Sequence, residues 1–482
     1  MRIRLTVTVL LLGAVAAAQQ PDTGILLNLD VGYNTAYRNA SWVPVDVYVD
    51  NKQRDLTGWV EVQVFNAGNV LQSPTYRVAA DCPQNSKKRF RLYVWIDNAT
   101  RVEALLYEND RLAVDAPAYV EPQPIEPQDF LAVVLDDDPL NYQFLYEPLR
   151  RYEKTRRLSR EDLGSSTLGQ LPDRLACYEA LDFVVMGDVD YSRIQPTQRN
   201  ALLEYVELGG TLVVFTGVHA QRVRDSWLAP HLGVEIESLK TQPEALYRAA
   251  VFGDVPPAQV DQNRVSTSAV LREADPNVLV YGKNDVLATR NKRGEGQIIT
   301  LAIDAAGNVL QDDPRYTDLW SQILASVRSD FRSLSLNTAD MTFVNNLPQV
   351  SGVTIRPVSD VLIYLALYIG VGIVLNWIFW SRMGRREYAW LTLLAVSFSF
   401  TAYAVISGTS GIEGRQSRHS VTLIHLGKNA TLSWQYTLNG ILSARVTEIS
   451  LPVETPDVLV REAGVAHAAG NWGMPQSSFQ RP

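Results

Sequence analysis

Residues 361–407 read VLIYLALYIGVGIVLNWIFW-SRMGRREY-AWLTLLAVSFSFTAYAVIS, two apolar stretches on either side of a short polar segment. Twenty residues of α-helix rise about 30 Å, which is the thickness of the hydrocarbon core of a bilayer. The pattern therefore predicts a transmembrane hairpin. Its helices are expected at Val361–Trp380 and Ala389–Ser407, and its connecting loop at Ser381–Tyr388.

The charges of the connecting loop predict the orientation of this hairpin. Arg382, Arg385 and Arg386 outnumber the single acidic residue Glu387, and short basic loops stay in the cytoplasm. We therefore expect the chain before and after the hairpin to lie on the opposite side of the membrane. Asn376, the strongly polar residue of the first stretch, lies one turn from the cytoplasmic end and can reach the interface there.

The N-terminus has the pattern of a secretory signal peptide at residues 1–18. Arg2 and Arg4 precede the apolar run Leu5–Val15, and Ala16–Ala18 offers small residues for cleavage. We expect Gln19 to be the first mature residue, with an uncleaved anchor as the alternative. Both interpretations agree with an exported chain up to the hairpin.

Composition excludes several classes of protein. The chain of 482 residues carries a net charge of −8 and has no long basic run outside the hairpin loop, which argues against a nucleic-acid partner. Two cysteines allow at most one disulfide. The five histidines have no paired Cys/His spacing, so no metal site or cofactor is predicted.

Residues 24–120 alternate apolar and polar side chains with a period of two. Valine occupies every second position from Val43 to Val49 and again from Val60 to Val64, as in strands with one buried and one solvent-facing side. Turn residues interrupt these runs at short spacing, which predicts an antiparallel, immunoglobulin-like β-sandwich. Three prolines within 121–127 predict an extended linker, because proline disfavours both helix and sheet.

From 128 to 330, continuous apolar runs alternate with amphipathic segments. The runs typical of buried parallel strands are Phe130–Leu135, Leu181–Met186, Thr211–Thr216 and Gln297–Ile303. The predicted helices are residues 138–151, Gln195–Glu207 and Tyr316–Val327. Such alternation predicts a doubly wound, mostly parallel sheet of flavodoxin-like type.

Three segments complete the domain organisation. Residues 331–360 are interpreted as a juxtamembrane segment. A small exported β-domain is predicted at 408–461, and a disordered tail at 462–482, where periodicity is lost. The strands expected in the small domain are Ser420–Ile424, Thr431–Gln435 and Val446–Leu451.

The α/β segment resembles a class I glutamine amidotransferase-like domain. The resemblance rests on DFVVMGD at 182–188, PTQRNALLEYV at 196–206 and GGTLVVFTG at 209–217. Active members place a cysteine on the turn after such a strand, activated by a downstream histidine and a carboxylate. Here the turn reads Thr216-Gly217-Val218-His219, and no histidine lies between His231 and His419. We therefore predict no catalytic residues.

Ligand-binding candidates remain at the carboxyl ends of the strands, where doubly wound sheets bind ligands. Asp136, Asp137 and Asp138 have the oxygen ligands that calcium and magnesium prefer, but helix capping and solvated loop charge also explain them. His219, with Thr216 nearby, is a candidate for a pocket, although a histidine in a loop is more commonly just exposed.

The order of the segments extends the resemblance over most of the chain. The quoted motifs, together with WVPVDVYVDN at 42–51, GEGQIITLAIDAAGNVL at 294–310, RREYAW at 385–390 and HSVTLIH at 419–425, resemble a family of large bacterial envelope membrane proteins. Members carry a degenerate amidotransferase-like domain and are often encoded near MoxR-type ATPases and von Willebrand A-type proteins. Relatives commonly continue to a final membrane helix, so this chain is interpreted as a shorter variant or an incomplete reading frame.

This resemblance implies a location in the bacterial cytoplasmic membrane, with the N- and C-terminal domains on the periplasmic or extracellular side. The expected partners are the lipid bilayer and envelope proteins, including MoxR and von Willebrand A-type components. The first hypothesis for function is a non-enzymatic scaffold that presents exported domains to partners. The alternative is a hydrolase or transferase with an unrecognised nucleophile. A transporter is less favoured, because two helices without embedded charge cannot enclose a polar path.

Overall fold

The structure is a computed structural model, and it describes residues 24–72, 74–114, 116–125, 130–136, 142, 145, 163–165, 171–253, 264–273, 279–281, 285–305, 310, 314–325, 327, 343, 358–409, 417–426, 433–442 and 459–460. The predicted signal peptide at 1–18 and the predicted tail at 462–482 lie outside this range. The described chain divides into two compact units, one formed by residues 24–37 and 43–124 and the other by residues 38–42 and 125 onwards.

The strands of the first unit form two larger sheets, in keeping with the predicted sandwich, and β2 and β11 form a third, two-stranded sheet. Strand β1 pairs antiparallel with β3, and β4 pairs antiparallel with β5, β6 and β8. One sheet has the order β1-β3-β7, and the other has the order β10-β8-β4-β5, with β6 paired to β4 and β9 paired to β8. The strands of this part of the chain are β1 (Ile25–Val31), β2 (Ala36–Arg38), β3 (Ser41–Asn51), β4 (Leu56–Asn66), β5 (Val70–Leu71), β6 (Tyr76–Cys82), β7 (Ser86–Ile96), β8 (Ala99–Glu108), β9 (Arg111–Leu112), β10 (Ala118–Val120) and β11 (Gln123–Ile125).

The polar side of two central strands is less exposed than the alternation predicts. Asp46 of β3 is 4% exposed, and its carboxylate accepts hydrogen bonds of 2.8 and 2.6 Å from the guanidinium of Arg91. Glu61 of β4 is 3% exposed and pairs with Arg77. Neighbouring strands cover these positions, and each buried carboxylate is tolerated because it has a cationic partner.

The expectation that prolines exclude sheet from residues 121–127 is wrong for part of this segment. Gln123–Ile125 forms β11, which pairs with β2, and the backbone N–H of Gln123 donates to the carbonyl of Thr35 at 2.9 Å. Pro124 fits here because this sheet has only two strands, so each is an edge strand on which a missing donor is tolerated.

The second unit contains a seven-stranded sheet of order β13-β12-β14-β15-β20-β19-β18. The first five strands of that order pair in parallel, and β19 and β18 close the sheet in antiparallel fashion. Its strands are β12 (Ala132–Leu135), β13 (Leu163–Ser165), β14 (Phe183–Met186), β15 (Thr211–Phe215), β18 (Leu279–Tyr281), β19 (Ala288–Arg293) and β20 (Gly296–Leu301). The four predicted strand runs are confirmed as β12, β14, β15 and β20.

Helices lie between these strands and after the last of them. The helices are α1 (Leu175–Tyr178), α2 (Pro196–Glu207), α3 (Ala220–Arg224), α4 (Glu244–Phe252) and α5 (Pro314–Ala325). Helix α2 begins with a capping box, in which Gln195 and Gln198 exchange side-chain to backbone hydrogen bonds. The helix expected at 138–151 lies outside the described residues, apart from Tyr142 and Leu145, which are fully buried.

A ribbon of two antiparallel strands, β16 (Val234–Pro243) and β17 (Val265–Glu273), was not expected from the sequence. Most of β16 is exposed, so it lacks the apolar run by which the sheet strands are recognised. Taken together, the described chain is a mixed α/β protein rich in β-structure.

Two helices are long and apolar enough to cross a membrane, Ser359–Arg382 and Arg386–Ile406. The first overlaps α6 (Val358–Ile369) and includes a π-helical segment at Gly370–Leu375 and α7 (Asn376–Arg382), and the second overlaps α8 (Ala389–Thr409). Hardly any residues of these two helices are buried within the structure, as expected for surfaces that face lipid.

Polar contacts join the two helices near the loop. The side-chain amide of Asn376 donates to the carbonyl of Ala389 at 2.7 Å, and its oxygen accepts a hydrogen bond from Thr392. The indole of Trp380 donates to the same threonine at 2.9 Å. Asn376 is therefore hydrogen-bonded within the hairpin, in addition to lying close enough to the membrane interface to reach it.

Beyond the hairpin, β21 (Ser417–Leu426) and β22 (Ser433–Leu442) pair antiparallel. The first contains the predicted strand Ser420–Ile424, and the second extends further along the chain than the predicted Thr431–Gln435. The strand predicted at Val446–Leu451 and most of the juxtamembrane segment 331–360 lie outside the described residues.

Candidate functional site

The candidate site lies where four parallel strands end at one edge of the sheet. Asp136 follows β12, Asp188 follows β14, His219 follows β15, and Asp304 follows β20. Since adjacent parallel strands place their carboxyl ends on the same edge, residues that are distant in sequence meet there. The result is three carboxylates and one imidazole in one neighbourhood.

Asp136 forms the inner wall of this site. One of its carboxylate oxygens, Oδ2, accepts a hydrogen bond of 2.7 Å from the hydroxyl of Tyr142 and one of 2.9 Å from the backbone N–H of Asp188. Burial, and then the charge of Asp136, raise the pKa of Tyr142 well above its ordinary value, so this phenol stays a donor. At Gly187 a Cβ atom would overlap both the Tyr142 hydroxyl and the Asp136 carboxylate. The close approach of β14 to this pair therefore requires glycine.

Asp188 is the residue that brings His219 into the site. Its Oδ1 lies 3.2 Å from the Nδ1 of His219 and also accepts a hydrogen bond from Arg222. The Asp188 and His219 side chains are about one-third exposed. This is the arrangement in which a carboxylate fixes the orientation of an imidazole, leaving its second nitrogen available.

Asp304 closes the opposite side of the site. Its Oδ2 accepts a hydrogen bond of 2.9 Å from the backbone N–H of Val218, and its carboxyl group occupies the space that a side chain on Gly217 would need. Gly217 has a positive φ of 39°, which favours glycine for a second reason. Burial is the main cause that raises the pKa of Asp304, and the charges of Asp188 and Asp136 add to it, although the Val218 hydrogen bond opposes the shift.

Tyr191 lies beneath the same group of charges. Tyr191 is 4% exposed, and its buried hydroxyl has no hydrogen-bond partner among the described residues. Burial and then the charges of Asp188 and Asp136 raise its pKa, so the phenol lies within electrostatic range of both carboxylates. A buried hydroxyl without a partner costs roughly 1–3 kcal/mol.

Thr216 lies under the edge instead of lining it. It is fully buried, and its hydroxyl donates to the carbonyl of Leu301 at 2.6 Å. That carbonyl also accepts the backbone N–H of Thr216. Thr216 thus fastens the end of β15 to β20 and supports the turn that carries His219.

Of the candidates predicted from sequence, the structure brings Asp136 and His219 into one site through Asp188. Asp137 and Asp138 lie outside the described residues. The participants that sequence reasoning missed are Tyr142, Asp188, Tyr191, Arg222 and Asp304. Asp188 and Asp304 had a detectable signal, since each follows a predicted strand within three residues.

The described residues of this edge were compared with the donor sets of metal sites. Among the described residues, no group of three or more histidine, cysteine, aspartate or glutamate side chains could hold a metal ion. Cys82 and Cys177 are both free thiols and both buried. Cys177 belongs to α1, which precedes β14, as its position in the sequence indicates.

The sequence comparisons reach only the first unit. A domain family described as "Domain of unknown function (DUF8726)" matches residues 24–119. Comparison with curated proteins returns no match.

Solved structures give distant likenesses. A Paenibacillus sp. cycloisomaltooligosaccharide glucanotransferase complexed with cycloisomaltoheptaose is 8% identical with a TM-score of 0.18, covering 39% of this chain and 28% of its own. A calcium-binding mutant of Bacteroides uniformis beta-glucuronidase 2 is 12% identical with a TM-score of 0.16, covering 39% of this chain and 23% of its own. The Pseudomonas fluorescens alkylpurine DNA glycosylase AlkC bound to DNA is 9% identical with a TM-score of 0.16, covering 20% of this chain and 30% of its own. The chain spans less than a third of the length of these three structures, and at these TM-scores they support no conclusion about fold or activity.

Proposed function

We propose that this chain is a non-enzymatic, membrane-anchored protein of the bacterial envelope, whose domains before and after the hairpin lie outside the cytoplasm and bind partners. The bilayer holds the hairpin, with the basic loop of Arg382, Arg385 and Arg386 in the cytoplasm. The partners would be other envelope proteins, and the resemblance of the sequence favours MoxR and von Willebrand A-type components. Within this proposal, residues 24–120 form an immunoglobulin-like sandwich and 128–330 a degenerate, flavodoxin-like amidotransferase domain.

The observation that carries the non-enzymatic part is the state of the turn after β15. Thr216 begins this turn, and it is fully buried. Its hydroxyl donates a hydrogen bond to the carbonyl of Leu301. The N–H of Val218, which such a turn can offer to an oxyanion, already donates to Asp304. This turn therefore presents no nucleophile at Thr216, and the backbone donor of Val218 is already in use.

The electrostatics of the edge support the same conclusion. Acyl transfer builds negative charge on a carbonyl oxygen, and enzymes stabilise it with preorganised donors. Here Asp136, Asp188 and Asp304 would oppose that charge. Arg222 is the nearby guanidinium, and it already pairs with Asp188.

A hydrolase or transferase is the second candidate, because one observation favours it. The 3.2 Å approach of Asp188 to the Nδ1 of His219 is the geometry in which a carboxylate orients a general base. This pair would need a nucleophile or water near the other ring nitrogen.

Turnover measurements separate the two candidates. We expect the purified full-length chain in detergent to show no glutaminase or esterase turnover above buffer, and His219→Ala to change nothing. Turnover that disappears in His219→Ala but persists in Thr216→Val would instead establish the hydrolase, since removal of a base costs orders of magnitude in rate. Affinity purification from crosslinked membranes of the native host would then identify the partners of a scaffold.

A further inference from the structure

The first unit has a pocket of about 440 Å³ between the turn that joins β3 to β4 and the hairpin of β8 and β9. The residues that line it are Arg54, Glu108, Asn109, Arg111, Leu112 and Ala113. All of them fall within the segment 24–119 that matches the domain family. The pocket therefore belongs to a different unit from the sheet-edge site.

The hairpin of β8 and β9 sets Glu108 opposite Arg111. Its two turn residues, Asn109 and Asp110, have positive φ angles of 49° and 61°, as a type I′ turn requires. The backbone pairing of the hairpin then places Glu108 directly across from Arg111. Opposite charges in such positions ordinarily form a cross-strand ion pair.

Arg54 instead occupies the carboxylate of Glu108. Its Nη1 donates to Oε1 at 2.9 Å, and its Nη2 donates to Oε2, so both carboxylate oxygens are in use. The backbone of Arg54 is held by the fully buried Asn51, whose side-chain amide donates to the Arg54 carbonyl at 2.6 Å. Among the described residues, Arg111 is left without a carboxylate partner, although it faces one across the hairpin.

The charge of the pocket selects the chemistry of a ligand. Two guanidiniums and one carboxylate line it, which leaves one positive charge, and the exposed Asp110 is outside the lining. A carboxylate carries one negative charge, and its two oxygens match the planar guanidinium fork. A dianion such as a phosphate monoester is disfavoured, because Glu108 repels the second charge. Leu112, which is 45% exposed, and Ala113 provide an apolar wall for the rest of the ligand.

We propose that this pocket binds the carboxylate group of an organic acid, with the guanidiniums of Arg111 and Arg54 as donors. Each guanidinium has five N–H donors, and Glu108 uses two of those on Arg54. A bound carboxylate completes an alternating arrangement of two cations and two anions. A small acid and the C-terminus of a polypeptide present this same group. The site goes beyond the proposed function, which does not assign it.

Isothermal titration of the full-length protein in detergent, in a buffer free of carboxylates and phosphate, tests the proposal. The probe is isocaproate, and isocaproamide is its neutral analogue of the same size. We expect saturable binding of isocaproate at millimolar concentrations and none of the amide. A parallel titration with acetyl-alanyl-leucine distinguishes the source of the carboxylate, since tighter binding of the peptide indicates a polypeptide C-terminus and equal or weaker binding indicates a small acid.

Variants locate the binding in this pocket. Arg111→Gln should weaken isocaproate binding at least about tenfold, through the loss of charge-assisted hydrogen bonds. Arg54→Met should weaken it as well, because Glu108 then becomes free to pair with Arg111. Glu108→Gln should strengthen it, since the competing carboxylate is removed. Lys52→Gln is the matched control, because Lys52 is exposed in the same turn as Arg54 but does not line the pocket. Melting curves establish that each variant retains its fold.

Four results would overturn the proposal. They are no saturable heat with isocaproate, equal heats with isocaproamide, tighter binding of inorganic phosphate, and equal weakening by Lys52→Gln and Arg111→Gln, which indicates a general attraction of anions. None of them affects the proposed non-enzymatic function, which depends on turnover. Glutaminase or esterase turnover, in contrast, would refute that function and leave the carboxylate pocket standing.

Discussion

The Nδ1 of His219 lies 3.2 Å from the Oδ1 of Asp188, although the two residues follow different strands. Parallel pairing of β14 with β15 sets Met186 opposite Val214, so the segments after both strands leave the sheet at the same edge. The carboxylate thereby holds the imidazole at the rim of the site. Asp136 fixes the other side of this arrangement by accepting the backbone N–H of Asp188.

The first prediction concerns the pH dependence of stability at Asp304. Burial raises its pKa above the ordinary aspartate value, so the folded protein binds this proton more tightly than the unfolded chain does. Its contribution is then fully present below the unfolded pKa and is lost as pH rises through the folded pKa. Asp304→Asn, which keeps an acceptor for Val218, should be more stable than the wild type at neutral pH.

Denaturant midpoints measured from neutral pH down to about pH 4 test this expectation. The advantage of Asp304→Asn should shrink as the pH falls, because the wild-type carboxyl then becomes protonated. Asp225→Asn provides the comparison for an exposed carboxylate and should show no such trend. A difference that grows toward acid would contradict the raised pKa.

The second prediction concerns the buried ion pair of Arg38 and Asp182. Their side chains are 10% and 0% exposed and 3.0 Å apart, and Arg38 also donates to the carbonyl of Ala180 at 3.1 Å. Arg38→Met leaves the Asp182 charge buried without this partner, so we expect a loss of about 3–5 kcal/mol in the free energy of unfolding. Chemical denaturation followed by circular dichroism measures it.

Arg54→Met is the matched control for this experiment. Arg54 also pairs with a carboxylate, that of Glu108, but its side chain is 58% exposed. Water screens such a pair, so the midpoint should stay nearly unchanged. Equal effects of the two substitutions would show that burial does not govern the strength of the Arg38 pair.

The third prediction concerns the glycine beneath the edge site. Gly187→Ala introduces a methyl group that overlaps the Tyr142 hydroxyl and the Asp136 carboxylate, and overpacking of this kind costs about 1–3 kcal/mol. The melting temperature should fall accordingly. Gly370→Ala, at a position with nothing within 4 Å, should leave it unchanged. If Gly187→Ala melts like the wild type, Gly187 does not lie in close contact with Tyr142 and Asp136.

The fourth prediction concerns membrane topology. Met383→Cys, in the basic loop, should resist an impermeant maleimide in intact cells, and Lys292→Cys, in the α/β unit, should react. Both positions are exposed, and the native thiols of Cys82 and Cys177 are buried, so the wild type gives the background. After lysis both variants should label. Labelling of Met383→Cys alone in intact cells would reverse the orientation.

Much of the local structure could be predicted from the sequence, because its signals are local. Thr211–Phe215 is recognised by its unbroken apolar run, and Pro196–Glu207 by its periodicity and its N-terminal proline. The ribbon of β16 and β17 was missed, since β16 is mostly exposed and lacks an apolar run, and β17 begins with the polar residues Ser266–Ser268. Gln123–Ile125 was not predicted as a strand, because proline disfavours sheet. Its pairing with β2 in a two-stranded sheet, where a missing N–H donor is tolerated, cannot be seen in the local sequence.

The sequence by itself determined the two membrane-length apolar helices and the alternation of strands and helices, because length and periodicity act within one segment. Only the tertiary structure decided that Asp136, Asp188, His219 and Asp304 share a site. Their meeting depends on the order in which β12, β14, β15 and β20 lie side by side, which is settled by packing between residues far apart in the chain. The same non-local packing buries Asp46 against Arg91 and closes the hydroxyl of Tyr191 off from solvent.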